Sequence, residues 1–340
     1  MIRFLASTVS VLTLLLTPAG AAPAADRAGQ ALPNLIALDL GMVDADGGAT
    51  VRAHTGADSS GRVTAVSFDP RTNAWTRPAT APSAVGPTTR RDQVLVFEGG
   101  LFDQFPGRAT IELGQGFTLA KRDSGYALVE NGEDRGWPAV TEAEVERWGR
   151  EVRLGLPREF PEDRLMQLLS TGRLKNVPGP AVVTADMIWF GLAGGFSGGD
   201  GQLGGVVGYD RKHRTFRVHR HKFMVDASVT RLLVVDDAVW IGTGRFGPTR
   251  LEGLRGLVLY RPKKAEWRQF APVNSRISGD LIYDLAVDGR MIWATTNQGV
   301  SRYDTTRRLW TSWYWHAVAG EDDFELKETL PGDIAEELIR

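Results

Sequence analysis

Residues Met291–Trp313 read "MIWATTNQGVSRYDTTRRLWTSW". A short apolar run carrying Ile-Trp is followed by a small polar turn and a second run ending in Tyr-Asp. Another polar segment then leads to a Trp seven residues after the Tyr. The same order appears upstream in "AVWIGTGRFGPTRLEGLRGLVLYRPKKAEWRQF" (Ala238–Phe270) and in "MIWFGLAGGFSGGDGQLGGVVGYDRKHRTFRV" (Met187–Val218). The Trp residues that mark it, Trp189, Trp240 and Trp293, are 51 and 53 residues apart. An aromatic residue followed at seven by Trp or Phe occurs four times in such surroundings: Phe68/Trp75, Tyr209/Phe216, Tyr260/Trp267 and Tyr303/Trp310. The polar residues between the partners read as a hairpin turn.

The last unit lays out as four strands. "LIYDLAVD" (Leu281–Asp288) is an inner strand, "MIWATT" the second, "VSRYD" the third and "LWTSW" the fourth, with short polar turns between them. Self-similarity at this period with four strand signals per unit predicts a β-propeller blade. A blade has two apolar faces and cannot bury both alone, so the units must stack on one another in a ring. The expected fold is therefore all-β, a single propeller of four-stranded antiparallel blades over residues 33–315. Five blades are recognisable, and five to seven are compatible with the length.

Toward the N-terminus the pattern weakens. "ATVRAHTGADSSGRVTAVSFDPRTNAWTR" (Ala49–Arg77) follows the same order with Arg52 where the other units have Trp. "QVLVFEGG" (Gln93–Gly100), "ATIELGQG" (Ala109–Gly116), "FTLAKRD" (Phe117–Asp123) and "GYALVENG" (Gly125–Gly132) supply four strand candidates for a further blade. A helical excursion is expected at about 138–175. Thr141 and Glu144 have capping-box spacing, and a second helix is expected from Pro161 to Gly172. Residues 316–340 form an acidic tail. Its last twenty residues hold eight carboxylates against Lys327 and Arg340, and suit either a docked short helix or a solvated end.

The three late units resemble the two-component-regulator propeller repeat, through "VWIGTG" with "GLVLYRP" and through "VDGRMIWATTNQGVSRYD". The match covers about Gly179 to Trp313. The resemblance implies a propeller of the kind found in extracytoplasmic sensing regions of bacterial proteins. It implies no catalytic residues, because the repeat is a scaffold pattern. No transmembrane or kinase segment follows, so the chain is not expected to be such a sensor itself.

Residues 1–25 read as a signal peptide: Arg3, an apolar stretch Phe4–Leu16, then small residues. The expected location is periplasmic or secreted. There is no cysteine in the 340 residues, which excludes disulfides, thiolate metal sites and lipid attachment through an N-terminal Cys. A net charge of -1 gives no global attraction to nucleic acid or anionic membrane. No membrane span, no cofactor and a monomeric state are expected.

Chemistry is sought where the units differ. From Trp293 to Tyr303 is ten residues, but from Trp189 to Tyr209 and from Trp240 to Tyr260 is twenty. Two neighbouring blades thus carry similar insertions at their second-to-third-strand turns, "AGGFSGGDGQLGG" (Ala193–Gly205) and "TGRFGPTRLEGLRG" (Thr243–Gly256). Extra loops per repeat tend to fall on a propeller's binding face. The second holds Arg245, Arg250, Arg255 and Glu252. The first holds Asp200, Gln202 and many glycines. Guanidinium groups suit carboxylate, phosphate or sulfate, so these six residues are the candidate ligand site for an anionic, carbohydrate or protein partner. Long solvated loops with no partner are the plainer alternative.

Other signals are weaker. "YDRKHRTFRVHRHK" (Tyr209–Lys222) contains six Lys or Arg and three His, so His213, His219 and His221 could meet a metal. An outer-edge hairpin that uses charge to prevent edge pairing is the commoner meaning, with polyanion contact a further one. "DADGG" (Asp44–Gly48) lacks the remaining ligands of a calcium loop. The glycine-rich insertion joins strand to strand, so it is not a dinucleotide fingerprint. No Gly-x-Ser-x-Gly, His-Glu-x-x-His or sialidase-type Asp box is present. The expectation is a non-catalytic propeller that binds a ligand or protein through its loop-bearing face. The alternative is an extracytoplasmic glycoside hydrolase or lyase using channel carboxylates such as Asp200, Glu252, Asp39 or Asp284.

Overall fold

A computed structural model of the chain describes residues 35–43, 49–55, 65–70, 72–76, 101–104, 107–153, 175–193, 204–225, 227–244, 255–317 and 324–328. Within them lie five antiparallel sheets, each a meander whose strands follow chain order. Blade 1 comprises β1 (Leu35–Val43), β2 (Ala49–Thr55), β3 (Ala65–Asp69) and β4 (Ala74–Thr76). Blade 2 has β5 (Thr110–Gly114), β6 (Phe117–Arg122), β7 (Gly125–Glu130) and β8 (Glu133–Asp134). Helix α1 (Glu142–Arg153) follows. Blade 3 is built from β9 (Pro178–Val183), β10 (Met187–Leu192), β11 (Val206–Asp210) and β12 (Thr215–His219). Blade 4 runs through β13 (Ser228–Val235), β14 (Ala238–Gly244), β15 (Leu257–Arg261) and β16 (Glu266–Phe270). Blade 5 adds a fifth strand to its four: β17 (Ile282–Asp288), β18 (Met291–Thr296), β19 (Gly299–Asp304), β20 (Leu309–Ala317) and β21 (Phe324–Glu328).

The repeat is visible in the register. Trp189, Trp240 and Trp293 each lie on the second strand of their blade, opposite Val182, Leu233 and Ala286 of the first and Gly208, Leu259 and Arg302 of the third. In blade 1 the equivalent position, opposite Ser67, is Arg52. The seven-residue aromatic pairs are cross-strand neighbours of the third and fourth strands: Phe68↔Trp75, Tyr209↔Phe216, Tyr260↔Trp267 and Tyr303↔Trp310. Their ring centroids are 5.4, 4.8, 4.0 and 4.9 Å apart. Pairs of this type add about 0.5–1.5 kcal/mol beyond the area they bury. Each turn between them places its last residue in the left-handed region: Asn73, Arg214, Ala265 and Arg308 have φ of 56°, 55°, 49° and 58°. Four repetitions of one backbone geometry, with three different residue types, show that the turn length and the aromatic pair impose it.

Each core belongs to two blades rather than one. Phe117, Leu119 and Leu128 of blade 2 pack with Ile188, Phe190 and Tyr209 of blade 3. Trp189 and Val206 of blade 3 meet Val239, Ile241 and Tyr260 of blade 4. Trp240 and Leu259 of blade 4 meet Ile282, Ile292 and Tyr303 of blade 5. Val66 and Phe68 of blade 1 pack with Trp293, Val300 and Trp313 of blade 5, so the first blade is seated against the last. Burying aromatic side chains of this size stabilises by roughly 1.5–3 kcal/mol each, and no blade could gain that alone. The inner strands accordingly neighbour one another in the order β5, β9, β13, β17, β1. This is a β-propeller.

Three details differ from the sequence reading. The described sheet of blade 2 runs from Thr110 to the short strand Glu133–Asp134, which the sequence reading does not mark as a strand, and Gln93–Gly100 lies outside the described residues. Strand β20 extends to Ala317, past the expected domain end at 315, and part of the acidic tail is neither helix nor solvated end. Phe324–Glu328 pairs with β20, Ala317 opposite Phe324 and Trp313 opposite Glu328. Helix α1 begins where the capping box required: Glu144 N–H donates to Thr141 Oγ1 at 3.2 Å and Thr141 N–H to Glu144 Oε2 at 3.1 Å. The second expected helix lies outside the described residues.

Candidate binding face

In a meander blade the turn between the second and third strands opens on the same face as the connection to the next blade. Blade 5 shows the minimal form, with Asn297 and Gln298 joining β18 to β19. Blades 3 and 4 carry their long loops there. Asp200, Gln202, Arg245, Arg250 and Glu252 lie outside the described residues. Arg255 is described. It stands at the foot of its loop, only 4% exposed, beside Gly256, whose carbonyl accepts from Thr243 N–H at 2.9 Å and Oγ1–H at 2.8 Å. Arg255 is thus a buried arginine anchored at the loop base rather than one displayed on a solvated loop.

Below the loops are the starting ends of the inner strands. β13 and β17 both bulge at the equivalent place, between Val229 and Arg231 and between Ile282 and Asp284. A bulge inserts one residue and re-aims the next. The inserted residues are Thr230 and Tyr283, and those that follow form an ion pair between adjacent blades, Arg231 Nε to Asp284 Oδ1 at 3.0 Å. The same oxygen accepts Leu285 N–H at 2.9 Å, and Arg231 Nη1 donates to the Thr230 carbonyl at 3.0 Å. Burial, with the charge of Asp280 adding to it, pushes the Tyr283 hydroxyl up to about 12, so it stays a neutral phenol. Thr230 is completely buried, and its hydroxyl has no hydrogen-bond partner among the described residues. Arg231 and Tyr283 escaped the sequence reading, although their bulges show as lapses in the alternation of "SVTRLLVV" and "LIYDLAVD".

The connections beside the loops are pinned down by polar contacts. Ser278 Oγ is 2.9 Å from Thr296 Oγ1 and 2.8 Å from Ser301 Oγ, which is itself 2.8 Å from Ser312 Oγ. Asn297 Nδ2 donates to Asp280 Oδ1 at 3.2 Å. Over blade 3 the helical excursion is fastened by Arg220, whose guanidinium lies 4.8 Å from the Trp148 ring and donates to Asn176 Oδ1 at 2.5 Å and to the Gly204 carbonyl at 3.4 Å. Burial lowers Arg220 to about 9, with Glu144 opposing the shift. Helix α1 is therefore tied to the base of the first long loop.

The histidines go to three separate partners. His213 Nδ1 lies 2.8 Å from Asp210 Oδ2, His219 Nδ1 is 2.9 Å from the Tyr260 hydroxyl, and His221 stacks on Trp267 at 5.1 Å. Among the described residues no three His, Asp or Glu side chains group as a metal site. Asp44–Gly48 lies outside them, and of the carboxylates weighed for glycosidic chemistry Asp284 is held by Arg231.

No protein-family model matches the chain, the two-component-regulator repeat included, and no curated protein matches it. Among solved structures it is similar to the extracellular domain of BT4673 from B. thetaiotaomicron, at 12% identity and a TM-score of 0.33, over 88% of this chain and 32% of that one. It is also similar to PorZ, a bacterial surface component of the type-IX secretion system of Porphyromonas gingivalis, at 12% identity and TM-score 0.26, over 93% and 47%. The CNH domain of AfRom2 is similar at 7% identity and TM-score 0.22, over 88% and 94%. The chain thus spans about a third of the BT4673 domain and about half of PorZ. At these scores the likenesses carry no functional argument, and the propeller assignment rests on the five sheets and their stacking. No helix among the described residues is long and apolar enough to cross a membrane.

Proposed function

We propose that the chain is an exported, non-catalytic β-propeller that binds a ligand or a protein partner through its loop-bearing face. The observation that carries the reading is that two consecutive blades, 3 and 4, have insertions of equal span at the same turn, on the face where the inner strands of blades 4 and 5 both bulge. The charges at those strand ends are committed to each other, Arg231 to Asp284, and the Tyr283 phenol is held neutral. That arrangement suits a preformed polar floor better than proton transfer, which needs a group poised near the working pH. The amino-terminal signal-like segment and the resemblance to extracytoplasmic repeats support export. Loops on a rigid scaffold are the usual place for recognition. The hydrolase alternative needs a free carboxylate pair, and of its candidates Asp284 is ion-paired with Arg231 while Asp39 lies within β1 of blade 1.

The test replaces residues 245–254 with the short turn of blade 5 and compares captured partners from periplasmic extract and culture fluid with those of the parent chain. The reading expects one or more partners to be lost while the melting curve is kept. Identical partners from both proteins would overturn the choice of face. Hydrolysis of a polysaccharide panel, abolished by Asp284→Asn, would overturn the non-catalytic reading.

A further inference from the structure

The outer wall of blades 3 and 4 has a charge pattern that the loop-bearing face does not use. Strands β12 and β16 are the outermost of their blades, and each presents an exposed arginine at its third residue, Arg217 and Arg268. The turns leading into them expose Lys212 and Arg214 in one blade and Lys263 and Lys264 in the next, and Lys222 follows β12, also exposed. Seven exposed cations thus lie on two adjacent blades of a chain whose net charge is -1. Of the acidic groups there, Glu266 pairs with Arg261 at 3.1 Å and Asp210 is hydrogen-bonded to His213 at 2.8 Å. Arg214 approaches Glu130 and Glu133 of blade 2 only at 3.7 and 4.0 Å. Lys212, Lys263 and Lys264 form no ion pair among the described residues.

Charge on an outer strand protects the sheet edge from pairing with another chain. Protection alone does not require one sign. Blade 2 ends in the acidic strand Glu133–Asp134, and blade 5 covers its edge with β21. On the outer strands and the segments flanking them the exposed cations of blades 3 and 4 outnumber the exposed carboxylate Glu266 seven to one, and that excess calls for a partner.

We infer that this wall binds a linear anionic polysaccharide, carrying carboxylate or sulfate groups, laid across the outer strands and turns of the two blades. Lysine and arginine on separate exposed turns suit charges spaced along a flexible chain. The large apolar side chains exposed among the described residues, Val273 and Leu309, belong to neither outer strand, so nothing there would insert into a bilayer. The aromatic rings of these outer strands are engaged inside the fold, Phe216 against Tyr209 and Trp267 between Tyr260 and His221, which leaves no platform for nucleic-acid bases.

The test uses the full chain with heparin and polygalacturonate as probes, beside phosphatidylglycerol vesicles and oligothymidylate. The wall variant Lys212→Glu/Lys263→Glu/Lys264→Glu is compared with a charge-matched control elsewhere, Lys121→Glu/Lys175→Glu/Arg276→Glu. The parent chain is expected to bind at least one polysaccharide in preference to vesicles and oligothymidylate. A fourfold rise in salt should weaken that binding by about one to two orders of magnitude. The wall variant should lose at least about tenfold and the control less than about twofold. Were the wall variant to misfold, Lys263→Glu/Lys264→Glu alone should lose about threefold or more. No binding to either polysaccharide, equal loss in the control, or preference for vesicles or oligothymidylate would overturn the proposal. Shortening the loop at 245–254 should leave this binding intact, which separates it from the face proposed above.

Discussion

Tyr260 and Trp267, seven residues apart in the chain, stack across the β15–β16 turn with centroids 4.0 Å apart and planes at 17°. The same pairing holds in four of the five blades, and it sets the length of the intervening turn. Between these two residues the chain must reverse, and Ala265 is forced to φ 49° to allow it. An alanine in that conformation is strained by roughly 1–2 kcal/mol, whereas glycine adopts it freely at a smaller entropic cost.

Ala265→Gly is therefore expected to stabilise the protein by about 0.5–1 kcal/mol. Ala271→Gly, at a fully buried position outside the turn, should destabilise it instead. Equilibrium urea denaturation of both variants checks the sign, provided the slope of the transition is unchanged.

Gly299 opens β19 with φ 157°, and a Cβ there would come within 2.0 Å of the Trp313 carbonyl oxygen of β20. Gly205 and Gly256 hold the corresponding positions, their Cβ sites 2.6 Å from the His219 and 2.4 Å from the Phe270 carbonyls. These glycines let the third and fourth strands converge. Gly299→Ala should cost several kcal/mol or prevent folding, while Gly289→Ala, whose Cβ would meet nothing within 4 Å, should cost only about 1–2 kcal/mol for its left-handed backbone. Soluble yield and denaturation midpoint distinguish the two.

His219 and His221 fill the junction of blades 3 and 4, and burial lowers both to about 4, helped by Arg217 and Arg147 at the first and Lys222 at the second. The unfolded chain binds these protons near pH 6.5 and the folded chain only near 4. Their contribution to stability is thus complete above about pH 6.5 and is lost progressively as the pH falls toward 4. Asp134, Asp210 and Asp304 are held below the usual carboxylate range by hydrogen bonds, so their losses come at lower pH and leave the window to the histidines. The melting temperature should fall between pH 6.5 and 4.5, and the fall should be flatter in His219→Gln/His221→Gln. An equal slope in that variant would contradict the assignment.

The legible parts of the fold were those written in aromatic residues. Trp189, Trp240 and Trp293 mark the second strand, and the seven-residue pairs mark the hairpin that closes each blade, because both face neighbouring blades and must be large. Blade 2 has no such pair. Ile111, Phe117, Leu119 and Leu128 fill its core, and its fourth strand is the two residues Glu133–Asp134, which no periodicity could reveal. Strand β21 was hidden by composition: Phe324 and Leu326 alternate with charges, but acidic neighbours mask a period of two. The site was less legible, because it depends on bulges. Thr230 and Tyr283 break alternation by one residue, and only the register shows that this brings Arg231 to Asp284 across two blades.

The central claim is that the first and last blades meet although their contacting residues are far apart in the chain. Asn73 Nδ2 donates to Glu328 Oε2 at 2.9 Å across 255 residues, and Asn73 Oδ1 accepts from Arg302 Nη2 at 2.9 Å. The guanidinium of Arg302 lies 5.1 Å from the Phe68 ring and 5.3 Å from that of Trp313. Since the chain has no cysteine of its own, Asn73→Cys/Glu328→Cys with a short bis-maleimide reports this contact without background. Contact between the first and last blades requires rapid intramolecular linkage under native conditions and none in denaturant, seen as a shifted monomer band on a denaturing gel. A folded protein that yields only unlinked monomer, or only linked dimer, would contradict it.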